Sequence, residues 1–140
     1  MDDSGDSDDL DDSLVAAARE AVSAAYVPYS SFPVGAALET DDGAVYTGCN
    51  LEVANYSNSL HAEEVAVGAA VSDGAAGFDR LAVTSAARDG LTPCGMCRQT
   101  LSEFCDDDLV VVCDADDSVA TYTLGELLPA AMGPETLGVE

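Results

Sequence analysis

His61 is the only histidine in this chain of 140 residues. It stands in "SLHAEEVAVG", at the head of an Ala/Val-rich run, with Glu63 two residues on. A second concentration of reactive groups is "TPCGMCRQ", where Cys94 and Cys97 have C-x-x-C spacing. Thiols three apart on a helix share one face and can reach the same ion. At a helix N-terminus the backbone N–H groups and the dipole favour the thiolate. Three chemistries suit such a pair. A redox dithiol needs an oxidoreductase context, and the strand pattern here is not thioredoxin-like. A structural zinc needs four protein ligands, whereas a catalytic zinc needs three and an open position. Cys49, Cys105 and Cys113 could in principle supply a fourth. Cys105 and Cys113, however, fall at a helix end and in an apolar strand, where buried thiols are common. His61 is the natural third ligand.

Taken singly, His61 reads as a structural residue and Glu63 as a solvated acid favoured by the helix dipole. Taken together with the cysteines they read differently. If two helix N-termini point at one place, His61, Cys94 and Cys97 can share a zinc that keeps one position for water. Zinc lowers the pKa of that water towards ~7. Glu63, one residue removed from a ligand, can then act as the base without binding the metal.

Helices and strands must supply that convergence. Ser13 is a suitable cap for a helix over "LVAAAREAVSAA", whose apolar residues at 14, 18, 21, 22 and 25 share a face. "VGAALET" and "AVYTGCNL" flank "DDG", a hairpin-turn signal. A polar loop leads into a helix over residues 61–73, which Gly74 can terminate. "RLAVTSA" reads as a buried strand, and "CGMCRQTLSEFC" as a helix opening at Cys94. "LVVVC" has the continuous apolar character of a central strand. "SVATYTL" is a further strand and "GELLPAAM" a short last helix. The order α, β, β, α, β, α, β, β, α predicts an α/β sheet with helices on its faces.

Composition bounds the class. Hydrophobic residues make up 48% of the chain, which argues for a globular protein. Seven of the first twelve residues are aspartates, so residues 1–12 are expected to be a disordered acidic tail, followed by a folded domain over 13–132 and a short tail over 133–140. The start lacks the basic and apolar regions of a signal peptide, and no apolar run approaches the ~20 residues of a membrane span. A soluble cytoplasmic protein is the expectation. An odd number of cysteines in such a chain argues against a disulfide framework. The net charge is −23, from 27 acids against 4 arginines, with no lysine. That surface repels phosphate backbones, which disfavours a nucleic-acid partner and suits a small neutral substrate. Missing lysine together with excess aspartate points to adaptation to the salt-in cytoplasm of a halophile, where molar salt screens the repulsion.

His61-Ala62-Glu63 followed by Pro93-Cys94-Gly95-Met96-Cys97 resembles the H-x-E…P-C-x-x-C signature of the zinc nucleoside and base deaminases. Those motifs alone do not choose among cytidine, cytidylate, tRNA adenosine and guanine deaminases. "YVPYSSFPVGAAL", "GCNLEVANYS" and "PCGMCRQTLSEF" look like the small cytidine deaminases of nucleoside salvage, in the same order and spacing, from about Ala16 to Met132. The resemblance implies a three-layer α-β-α fold with a central mixed sheet of about five strands, one Zn²⁺ per subunit, and a homotetramer. It also implies roles. His61, Cys94 and Cys97 would hold zinc, and Glu63 would shuttle protons. Phe32 would pack on the pyrimidine, Asn50 and Glu52 would bond the ribose hydroxyls, and Ala62 would offer backbone contact to the base. Tyr56 falls where the family has a tyrosine near the sugar, across a subunit contact. The implied reaction is hydrolytic deamination of cytidine and deoxycytidine. Deamination of another aminopyrimidine nucleoside of the blasticidin type is the rival enzyme. A structural zinc or redox protein without turnover is the rival of another class.

Two departures stand out. Tetrameric relatives often carry Cys-Ala-Glu-Arg where this chain has His61-Ala62-Glu63-Glu64. Three thiolates on Zn²⁺ leave a net negative charge that the Arg can offset. One imidazole and two thiolates leave none, so Glu64 is tolerated. A late aromatic of the family aligns roughly with Met132, which can still pack there. Arg98, directly after the second cysteine, is expected to order the metal-site helix.

Overall fold

The structure is a computed structural model that describes residues 3–115 and 118–139. Its elements are α1 (Asp3–Val22), β1 (Val34–Thr40), β2 (Val45–Cys49), α2 (Ala62–Ser72), β3 (Phe78–Ser85), α3 (Gly95–Phe104), β4 (Val110–Asp114), β5 (Val119–Thr123) and α4 (Leu124–Leu127), in the order the hydrophobic patterns predict. The strands form one five-stranded mixed sheet in the order β2-β1-β3-β4-β5. Only β3 and β4 are parallel, and α3 makes their crossover. The turn between β1 and β2 needs a left-handed residue, which Gly43 supplies at φ 90°.

Side chains alternate across the strands, so each central strand feeds two cores. Ala37, Ala82 and Val112 face Leu14, Val15 and Ala18 of α1. Their neighbours Ala36, Leu38, Leu81, Val83, Val111 and Cys113 face Ala62, Ala66, Val67 and Ala70 of α2 and Leu101 of α3. This two-sided burial is why "LVVVC" is apolar throughout, and the result is the three-layer α-β-α arrangement.

Two expectations are corrected at the ends of the domain. α1 begins at Asp3 and runs on from the acidic stretch, so Ser13 lies inside the helix instead of capping it. Asp11 is buried and pairs with Arg80 of β3 at 2.6 Å. At the other end α4 is a single turn, because Pro129 follows it. Beyond it, Pro134–Leu137 form a 3₁₀ turn. Residues 1, 2 and 140 of the two expected tails lie outside the described residues. Among the described residues no helix is long and apolar enough to cross a membrane.

Candidate active site

α2 starts close against β2. A Cβ at Gly48 would lie 2.3 Å from the Ala62 carbonyl oxygen and 2.6 Å from the Ala66 nitrogen, so only glycine lets the helix approach so near. The segment before α2 is fixed by backbone pairing, with Leu51 N–H donating to Leu60 O at 2.9 Å and Leu60 N–H to Leu51 O at 2.8 Å. His61 follows at once, in the N-cap position, with φ −84° and ψ 153°. Cys94 holds the corresponding N-cap position of α3, and Cys97 is buried in that helix's first turn. Two helix N-termini therefore face each other.

The donors converge as the sequence predicts. His61 Nδ1 lies 3.1 Å from Cys97 Sγ and 3.3 Å from Cys94 Sγ. One donor atom from each of the three residues lies within 4.8 Å of the others, and this is the only such His/Cys/Asp/Glu group among the described residues. The donor set suits zinc, which takes imidazole and thiolate together. Burial, with the nearby charges of Glu63 and Cys94, pushes the Cys97 thiol far above its ordinary range. A thiolate at that place needs a cation between the donors, and bound metal reverses such a shift. The other cysteines are elsewhere. Burial pushes Cys113 up to about 11, and burial with Asp106 pushes Cys105 up to about 12, so both are neutral thiols. Cys49 is half-buried, and no disulfide joins any of the five.

Glu63 is 5% exposed, on the first turn of α2. Burial pushes its carboxyl up, against the pull of its own backbone N–H, His61 and Cys97. His61, Glu63 and Cys94 line one side of an open cavity of about 450 Å³, with Ala62 between them. Phe32, Asn50, Glu52 and Tyr56 line the rest, joined by Tyr29, Ser30, Leu91 and Thr92. The expected substrate-contacting residues, Glu63 and two of the three metal donors thus line the cavity, while Cys97, Arg98 and Met132 do not.

The loops that line the rest of the cavity are tied together by hydrogen bonds. Asn50 Oδ1 accepts from Val34 N–H and Nδ2 donates to Phe32 O, both at 2.9 Å, which grips the chain on either side of Pro33. Glu52 Oε1 accepts from the N–H groups of Tyr29 and Ser30 at 3.0 Å, and Oε2 from the Ser30 hydroxyl. These bonds, the Ser30 hydroxyl first, hold the Glu52 carboxyl below its ordinary value, so it faces the cavity as an ionised acceptor. Tyr56 is 70% exposed at the rim and meets Tyr29 edge-on, with ring centroids 5.5 Å apart.

Three supporting contacts were beyond sequence reasoning. Ser30 is one. Glu64, whose carboxylate accepts the His61 backbone N–H at 3.1 Å, is another. The third is the partner set of Arg98, which donates to Pro93 O at 2.7 Å, Leu127 O at 2.9 Å and Thr92 Oγ1 at 3.3 Å. It thereby pins the residue before Cys94 to the end of α4. Met132 is half-exposed and its carbonyl accepts from Gln99 at 3.1 Å, away from the cavity.

An α-β-α layered fold with a His/Cys/Cys donor set and a buried glutamate beside it defines the class of zinc-dependent deaminases. Residues 8–113 match the family described as "Cytidine and deoxycytidylate deaminase zinc-binding region". The chain belongs to that family. It is 43% identical over 125 residues to a cytidine deaminase of Sporosarcina psychrophila, covering 89% of this chain and 92% of the relative. It is 43% identical over 120 residues to a cytidine deaminase of Mycobacterium tuberculosis, covering 86% and 87%. A crystal structure of cytidine deaminase from Burkholderia pseudomallei superposes with a TM-score of 0.81 at 40% identity, covering 86% of this chain and 97% of that one.

Proposed function

We propose that this protein hydrolyses cytidine and deoxycytidine to the uridine nucleosides and ammonia, with His61, Cys94 and Cys97 holding one Zn²⁺. The observation that carries the reading is the convergence of those three donors beside a buried Glu63, on the wall of a nucleoside-sized cavity. Zinc in this donor set would polarise a water and bring its pKa near ~7.

The chain's own residues do the rest. Water adds to C4 of the pyrimidine and the C4–N4 bond breaks. Glu63 takes a proton from the water, delivers one to N3, and carries one to the leaving amine. Burial raises its carboxyl, so it can hold the proton between transfers. Phe32 packs on the base and the Ala62 backbone contacts it. The anchored carboxylate of Glu52 accepts from a ribose hydroxyl, and the second Nδ2 hydrogen of Asn50 donates to another. Tyr56 closes the sugar side at the rim.

A neutral nucleoside suits a chain of net charge −23 better than a nucleotide does. The same charge supports a role in a high-salt cytoplasm. The exposed Tyr26, Tyr29, Tyr56 and Leu60 support a homotetramer that covers the cavity rim, and the mass in solution tests it.

The test of the activity is cytidine turnover followed by ultraviolet absorbance in molar KCl, with and without a zinc chelator. Loss of the cytidine band, abolished by chelation and restored by zinc, is expected. A folded, zinc-loaded protein that leaves cytidine and deoxycytidine intact would remove the substrate assignment and turn the search to other aminopyrimidine nucleosides.

A further inference from the structure

The Glu64 carboxylate is the one side-chain group among the described residues that bonds the His61 backbone, at 3.1 Å. His61 occupies the N-cap of α2, a place that usually goes to Ser, Thr, Asp or Asn because their side chains satisfy the helix's free N–H groups. Its ring is turned to the two cysteine sulfurs instead, at 3.1 and 3.3 Å. The His61 carbonyl accepts from Val65 N–H at 3.0 Å as the first bond of the helix, but its own N–H needs an acceptor from elsewhere. Glu64, three residues on, supplies it by reaching back to the His61 N–H, as the second half of a capping box does.

We infer that Glu64 is a positioning residue. It locks the His61 main chain so that the imidazole is already aimed at the two cysteine sulfurs before metal arrives. The inference rests on the reading of His61 as a zinc ligand. The competing account is bulk charge, in which a carboxylate near the site simply attracts a cation.

Two substitutions separate these. Glu64→Gln keeps an acceptor at the same reach and removes the charge; Glu64→Ala removes both. Zinc affinity, measured by competition with a chromophoric chelator, is expected to stay within about threefold of wild type in Glu64→Gln. Loss of the capping contact should weaken it about five- to tenfold in Glu64→Ala. In the metal-free protein the His61 amide should exchange slowly in wild type and Glu64→Gln and quickly in Glu64→Ala. The ligand-field bands of the cobalt-loaded protein should shift in Glu64→Ala alone. If Glu64→Ala does not fold, Glu64→Leu, which likewise removes both the acceptor and the charge, takes its place with the same expectation. Equal weakening in Glu64→Gln and Glu64→Ala would establish the charge account and overturn the inference, as would unchanged affinity in both. Wild-type protein that binds no zinc would instead overturn the metal reading beneath it.

Discussion

Glu63 and Glu52 are both carboxylates at the cavity, yet their surroundings push them in opposite directions. Glu52 accepts three hydrogen bonds from Tyr29 and Ser30 and is held ionised. Glu63 is buried and pushed up. An anchored acceptor suits binding, and a carboxyl that can gain and lose a proton suits chemistry. Glu63→Gln keeps the size and removes the proton carrier. It should retain zinc stoichiometry and far-ultraviolet dichroism while kcat falls by about 10²–10⁴-fold. Steady-state kinetics beside a metal count checks this, and retained turnover would remove the shuttle role. The residues gathered at the candidate site were legible because their types are chemically restricted: a single histidine, a C-x-x-C pair, and three motifs in family order. The contacts that support them were less so. Arg98 was expected to order the metal-site helix, but its bond to Leu127, like that of Ser30 to Glu52, is fixed only when distant segments meet; the bond from His61 N–H to Glu64 is local, but His61 is not an ordinary capping residue and gives no cap signal.

At the scale of elements, periodicity located all five strands and the helices that carry the metal donors, because two-sided burial leaves a strong apolar signature in "LVVVC" and in α2. The start of α1 escaped it. Aspartate-rich sequence signals disorder, but the compensating cation is Arg80, far away in the chain. Near the other end of α1, Arg19 donates to Asp114 of β4 from Nε at 2.8 Å and Nη2 at 2.6 Å, and Thr84 adds a bond at 2.7 Å. The Arg19 hydrogen bonds, chiefly, hold the Asp114 carboxyl below its ordinary value. A carboxyl lowered on folding stabilises the protein above its unfolded pKa, about 3.9, and that contribution is lost as pH falls through the lower folded value. Asp114→Asn should therefore lower the Tm by a few degrees at pH 7, and the gap to wild type should narrow as pH drops below about 3.9. Thermal melts of both proteins across that range check the sign. A gap that widens in acid would show that the α1–β4 link does not depend on this charge.

The whole molecule carries 27 acids and 4 arginines, and the structure shows how few of those cations are free to screen. Arg19 pairs with Asp114, Arg80 lies between Asp11 and Glu39, and Arg98 is bound to backbone carbonyls and a hydroxyl. Most of the surface charge therefore has no partner but solvent ions. Self-repulsion of that size favours expansion. Screening relieves it, since the Debye length falls from about 10 Å at 0.1 M salt to about 3 Å at 1 M. The same salt weakens the pair of the exposed Arg19, but such pairs contribute little, at most about 1 kcal/mol; the buried Asp11–Arg80 pair is screened much less, while the repulsion is summed over the surface. The balance predicts a Tm that climbs from low to molar KCl, by about 4 °C for each 1 kcal/mol gained in a domain of this size. The melts must be run at several protein concentrations, because assembly also raises apparent stability and does so by mass action. A rise with salt that persists at every concentration belongs to the surface charge. A Tm equal or higher in low salt would mean that the acidic surface is no adaptation to salt.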